Sequence, residues 1–212
     1  MKRSNKKAIA VAASGFLLFV AYYGSFLPIR KEEMSMHAEE KIKAANSMNE
    51  VVDILSAPLN QASPIGQEEL ILRSAEVVGV LIDKNGAGAR RASIIPPLVA
   101  FLKRYYDPYL ATGPIAKSSR DLYVIGNVNL QAYGSLHEQQ YLEAARRYFK
   151  LGLANCPTRP EFISSLFDIY VTEGDLYGAR KMGALMVTYW PQDSESRARV
   201  AQALAGLEQR AR

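Results

Sequence analysis

The chain has 212 residues, 49% of them apolar, and a net charge of +5. That length suits one compact domain of ordinary size plus a tail, and that apolar share excludes wholesale disorder. The charge is no nucleic-acid signature. Lys2, Arg3, Lys6 and Lys7 supply most of the excess within a segment that has no acid, so the rest is nearly neutral and lacks the dense basic face that phosphate binding needs.

Residues 1–7 are a basic tail. Residues 8–29 (AIAVAASGFLLFVAYYGSFLPI) carry no charge. A helix of that length is about 33 Å long, enough to cross a hydrocarbon core of about 30 Å. Tyr22 and Tyr23 lie towards the far end, where aromatic rings favour the interface, and Pro28 and then Arg30-Lys31-Glu32-Glu33 end the apolar run. Cations concentrated before the span predict a cytoplasmic N-terminus and an external body. In a bacterial envelope this is a single-pass inner-membrane protein with its body in the periplasm. The alternative is a cleaved signal peptide. Against it, the run is long for an h-region, and the nearest small-residue site, Ala21 to Ser25, is interrupted by two tyrosines.

Residues 30–62 form an amphipathic helix and linker. Ile42, Ala45, Met48, Val52 and Leu55 recur at spacings of three or four, which predicts one helix over 32–56, a stalk or a partner-binding element. The stretch from Ala57-Pro58 to Pro64-Ile65-Gly66 is expected to break it. Ser63 can then cap, and Pro64 open, a helix over about 66–83.

Residues 63–125 form a helical region. A turn is expected at Asn85-Gly86-Ala87-Gly88. The run NGAGARR lacks the Lys-Ser/Thr end of a phosphate loop and follows no evident strand, so a helix–helix turn is the better reading. Another helix is expected over 93–106, followed by a loop marked by Asp107-Pro108 and Gly113-Pro114. From about 118 onward the pattern reads as helix after helix, with no period-two alternation. The fold class is therefore all-α: a single N-terminal transmembrane helix, then a body of α-α helical hairpins.

Over 126–212 a 34-residue period emerges. Ala145 and Ala179, Pro157 and Pro191, and Leu136 and Tyr170 are each separated by it. This is the length of a tetratricopeptide unit, whose pattern runs Trp-x-x-Leu-Gly-x-x-Tyr, then Ala-x-x-x-Phe, then Pro. In the later unit, 160–193, Leu166 and Tyr170 hold the first-helix positions. Gly174 allows a left-handed helix end, Asp175 caps the next helix, Ala179 supplies the small crossing residue, and Pro191 ends the unit. Thr158 and Glu161 have capping-box spacing ahead of it. The earlier unit, 126–159, keeps Leu136, Ala145, Phe149 and Pro157. Residues 194–209, with Val200 and Leu204, read as a closing helix. Phe167 and Tyr133 stand where the pattern has Gly, and Gly183 stands where it has an aromatic.

The run from Gln139 to Asp193, QQYLEAARRYFKLGLANCPTRPEFISSLFDIYVTEGDLYGARKMGALMVTYWPQD, resembles the extracytoplasmic C-terminal helical region of O-antigen ligase and polymerase family proteins. The segments SPIGQEELILRSA (63–75) and KSSRDLYVIGNV (117–128) resemble the parts that precede the repeats there, so the likeness covers about 57–194. It implies an all-helical accessory domain of surface-polysaccharide (O-antigen or lipopolysaccharide) assembly, detached from the polytopic membrane domain. The matching part is not the family's catalytic part, and no catalytic residue carries over.

The residues point to no chemistry of their own. The single cysteine, Cys156, excludes an internal disulfide, and nothing nearby in sequence pairs it with His137. His37 and His137 lack metal-ligand spacing. Glu32-Glu33, Glu39-Glu40 and Glu68-Glu69 read as solvated faces. No catalytic, cofactor or metal residue and no small-molecule substrate is expected. The expected partners are the membrane, through residues 8–29, and protein, foremost another membrane protein. In such repeats the first helix of each pair lines the concave side, which singles out Glu161, Ser164, Asp168, Val171 and Thr172 for partner binding. The competing expectation is a general periplasmic accessory factor of protein translocation or envelope protein assembly.

Overall fold

A computed structural model describes residues 3–85, 90–112 and 118–210. Among these, every regular element is helical. The turn expected at Gly86 to Gly88 and the loop at Gly113-Pro114 lie outside the described residues. The chain divides into two compact units, one ending at Ser74 and one beginning at Ala75.

In the first unit, α1 (Arg3–Ala21) passes through a π-helical turn (Tyr22–Phe26) into α2 (Leu27–Met36). Pro28 does not stop the helix. It sits in the first turn of α2, immediately after the wide π turn, where a proline's missing amide costs the ladder least. This is a helix long and apolar enough to cross a membrane: beginning at Ile9, its most apolar window has mean hydropathy 1.7 and is unburied.

The single helix expected over 32–56 is instead three. α2 ends at Met36, α3 covers Ala38–Ala44, and α4 covers Met48–Asn60. The apolar spacing runs on across the break, so periodicity alone cannot show it. The local chemistry does: Ser47 is extended and its Oγ accepts the Glu50 amide at 3.2 Å, while the Glu50 carboxylate accepts the Asn46 amide at 2.8 Å. The break lets α3 and α4 fold back on α2. Leu27, Val51, Leu55 and Leu59 are buried as a result.

Two further expectations are corrected here. α4 runs through Pro58 to Asn60 rather than breaking at Ala57-Pro58. Ser63 does not cap α5 (Gln67–Asn85); its hydroxyl donates to the Ile65 carbonyl at 2.8 Å and shapes the loop. The entry to α5 is instead made by Gly66, at φ +84°.

Lys31 of α2 is 2% exposed. Its ammonium donates to Gln67 Oε1, and Gln67 Nε2 donates to the Leu59 carbonyl at 3.1 Å. Arg73 Nη1 and Glu32 Oε1, 2.5 Å apart, form an ion pair beside this chain of hydrogen bonds.

The second unit contains the rest of α5, then α6 (Arg91–Thr112), α7 (Ser119–Leu136), α8 (Gln139–Asn155), α9 (Pro160–Glu173), α10 (Leu176–Tyr189) and α11 (Ser194–Arg210). α6 is longer than the expected 93–106. It continues through Asp107-Pro108, and it also contains Pro96 and Pro97. Asp107 is engaged from α8, by the Tyr148 hydroxyl at 3.4 Å and Arg147 at 3.6 Å. Burial, with Asp107 second, pushes the Tyr148 phenol up to about 12.

From α6 to α11 each helix packs on its successor, and α11 also reaches α9. Four glycines mark the crossings. A Cβ on Gly126 would fall on the Phe149 ring, one on Gly152 on the Phe162 ring, one on Gly178 within 2.6 Å of Tyr170, and one on Gly183 within 2.7 Å of Val200. Gly183 thus departs from the aromatic expected there because Val200 of α11 fills the space. Ala145, Ala179 and Phe149 are fully buried, and Leu166 nearly so.

The 34-residue spacing does not hold throughout. His137 closes α7 at φ 57° and Gly174 closes α9 at φ 76°, and these two stand three residues further apart than Ala145 and Ala179 do. Leu136 is therefore the last residue of α7, and Tyr133, not Leu136, sits one turn before its helix end as Tyr170 does. α8 absorbs the difference, being three residues longer than α10 at its N-terminal end.

Tyr106 is fully buried in α6, and its hydroxyl has no hydrogen-bond partner among the described residues. An orphaned buried hydroxyl costs more than its removal. Tyr106→Phe is expected to stabilise the protein by about 1 kcal/mol, read as a raised urea midpoint with an unchanged slope.

Candidate functional site

The five positions singled out on α9 differ in exposure: Asp168 and Thr172 are exposed, and Glu161, Ser164 and Val171 are half-buried. Asp168 and Ser164 stand one turn apart, and α11 comes down on both: Arg199 Nη2 reaches Asp168 Oδ1 at 2.6 Å and donates to Ser164 Oγ at 3.2 Å. The guanidinium also lies 5.6 Å from the centre of the Phe167 ring. Partial burial pushes the Asp168 carboxyl up from its ordinary value, against the pull of Arg199. Thr172 turns its hydroxyl back to the Asp168 carbonyl at 2.8 Å. Val171 is half-buried. Arg199 of the closing helix thus reaches into the expected binding surface, while Asp168 and Thr172 stay exposed.

A cleft opens at the N-terminal end of α9. Its volume is about 400 Å³, and it is bounded by Tyr123 of α7, by Pro160, Glu161, Ser164 and Ser165 of α9, and by Met186 at the end of α10. Trp190, Asp193 and Ser196 complete it from the α10–α11 turn and the first turn of α11. Glu161 and Ser164 were legible beforehand as surface positions on α9. Tyr123, Trp190, Asp193 and Ser196 were not, because they come from other helices. Their one sequence signal was that Trp190, the chain's single tryptophan, precedes the unit-ending Pro191.

The two carboxylates of the cleft are locally held. Thr158 does not cap α9 as expected; Arg159 is the residue before the helix, Pro160 takes its first position, and Arg159 Nε donates to Glu161 Oε2 at 3.2 Å. A backbone amide at the helix start holds the Glu161 carboxyl below its usual range, with Arg159 adding to the pull. Asp193 caps α11, accepting the Ser196 amide at 3.0 Å, and the Ser196 contacts hold its carboxyl low as well. The cleft therefore presents two ionised carboxylates, serine hydroxyls and the aromatic side chains of Tyr123 and Trp190. Such a lining grips by stacking, burial and hydrogen bonding.

Asp175, expected to cap α10, accepts the Gly178 amide at 2.9 Å. Cys156 Sγ contacts Ser119 Oγ at 2.8 Å, while the His137 ring packs edge-on against Tyr133. Glu39, Glu40, Glu68 and Glu69 are exposed. No cluster of residues able to hold a metal occurs among the described residues.

No family model, curated protein or solved structure matches this chain.

Proposed function

We propose that the chain is a membrane-anchored scaffold whose helical body stands in the periplasm and docks a protein partner, another membrane protein of surface-polysaccharide assembly. The observation that carries the docking role is the cleft at the start of α9, where Trp190 and Tyr123 flank a polar lining whose two carboxylates are locally held. Its volume lies within the about 300–1,000 Å³ of binding pockets generally. Tryptophan and tyrosine in such places contribute a disproportionate share of binding energy. The anchor reading rests on the apolar helix from Ile9, and the orientation on the cations that precede it. The choice of glycan assembly rests on the likeness over 57–194, and the repeat reading on the period shared by Ala145 and Ala179 and by Pro157 and Pro191.

A photo-crosslinking residue at Ser165 of the full-length protein in cells tests the docking role. A discrete membrane-protein adduct is expected there, and it should disappear when Trp190→Ala is added. The same probe at Asp168, already held by Arg199, should give little. If the Ser165 probe captures nothing, the cleft is not a docking site. An alkaline-phosphatase fusion at Arg212 tests orientation, and an inactive fusion overturns the periplasmic placement.

A further inference from the structure

We infer that the second unit carries another docking groove, independent of the cleft described above, that accepts an acidic peptide segment bearing an apolar side chain. Leu166 and Tyr170 lie two residues beyond Ser164 and Asp168, so about 200° around α9 from the side that Arg199 of α11 engages. On that side a groove of about 470 Å³ is lined by α8, α9 and α10. Leu153, Leu166 and Met182 contribute its apolar lining, and Tyr170 and Tyr177 contribute aromatic rings. Tyr177 is 80% exposed, the most exposed of the large apolar side chains among the described residues, although it belongs to a well-packed helix. An open tyrosine beside an apolar groove is the composition of an interface centre.

The charges select the occupant. Arg146, Lys150 and Lys181 line the groove. Arg146 is already taken by Glu173 at 2.9 Å. Lys150 lies 5.8 Å from the centre of the Tyr170 ring, and neither it nor Lys181 pairs with a carboxylate among the described residues. The acid in the lining, Asp175, gives its Oδ1 to the Gly178 amide and so serves the N-terminus of α10. Two cations are thus left facing an apolar groove. A carboxylate-bearing chain would satisfy them, and a leucine or phenylalanine side chain would fill the space between. A polyanionic sugar would satisfy the lysines but would bury hydroxyls against Leu153 and Met182 without partners.

The test uses the full chain in nanodiscs of zwitterionic lipid and a fluorescein-labelled peptide, Glu-Glu-Leu-Glu-Glu-Leu, with its glutamine-for-glutamate counterpart. The acidic peptide should bind at least about tenfold tighter than the neutral one and weaken as salt is raised. Lys150→Glu with Lys181→Glu should abolish that preference, and Tyr177→Ala should weaken binding about tenfold. Trp190→Ala, in the other cleft, should change nothing, which separates this proposal from the docking role proposed above. Both lysines are exposed, so circular dichroism should be unaltered. The milder Lys150→Gln with Lys181→Gln, which only neutralises, should lose part of the preference. The proposal is overturned by equal affinity for the two peptides, by no binding, by binding that survives the charge reversal, or by dextran sulfate binding at these residues where the peptide does not.

Discussion

Gly152→Ala is expected to destabilise the second unit by about 1–3 kcal/mol, although the same change at an open helical site gains up to about 1 kcal/mol. The sign reverses because a Cβ at Gly152 falls on the Phe162 ring. That ring is fully buried and has no room to swing away. Gly126→Ala meets Phe149 in the same way. Gly134, on the exposed side of the last turn of α7, has nothing within 4 Å of its virtual Cβ, and Gly134→Ala should stabilise or be neutral. Urea unfolding of the three variants decides the matter. If Gly152→Ala is as harmless as Gly134→Ala, the α8–α9 crossing is not as close as described. Phe162→Leu should recover part of the Gly152→Ala loss while costing stability alone, a coupling that only direct contact produces.

Gln67→Leu is the second large effect, expected to cost about 2–3 kcal/mol in the first unit. It removes the acceptor of a buried ammonium, and the Lys31 side chain has no other hydrogen-bond partner among the described residues. It also removes the donor to the Leu59 carbonyl at the end of α4. Lys31→Met should cost much less, since an apolar chain of similar length fills the site without a charge to satisfy. The two changes together should be better tolerated than Gln67→Leu alone. Hydrogen exchange in the last turns of α4, followed in detergent micelles, reads the outcome directly. Unchanged protection in Gln67→Leu would show that Lys31 finds another acceptor and that Gln67 does not hold α4 to α2.

How much of this was legible beforehand differs from element to element. The apolar run of 8–29, the helical elements of the described body and the Gly174-Asp175 turn follow from side-chain chemistry acting over a few residues, which is what a sequence displays. The break at Ala45–Ser47 did not stand out, since the apolar spacing of Ile42, Met48 and Val52 continues across it and only the Ser47–Glu50 cap marks it. Prolines misled in the opposite direction. Pro58 and Pro108 look like stops, yet each helix continues past them because neighbouring packing outweighs one missing backbone hydrogen bond.

The candidate site divides in the same way. Glu161 and Ser164 were readable as surface positions on α9, because helical spacing decides which side of a helix is free. That Arg199 would claim Ser164 and Asp168 was not readable. The contact joins positions more than thirty residues apart and depends on where α11 settles once Val200 meets Gly183. The opening feature of the chain, its neutral apolar span, is a property of composition and needs no partner to exist. The cleft at Trp190, the groove at Tyr177 and the offset between His137 and Gly174 exist only once helices cross at particular distances. Those distances are decided by which side chain meets which glycine, and local sequence carries no record of that.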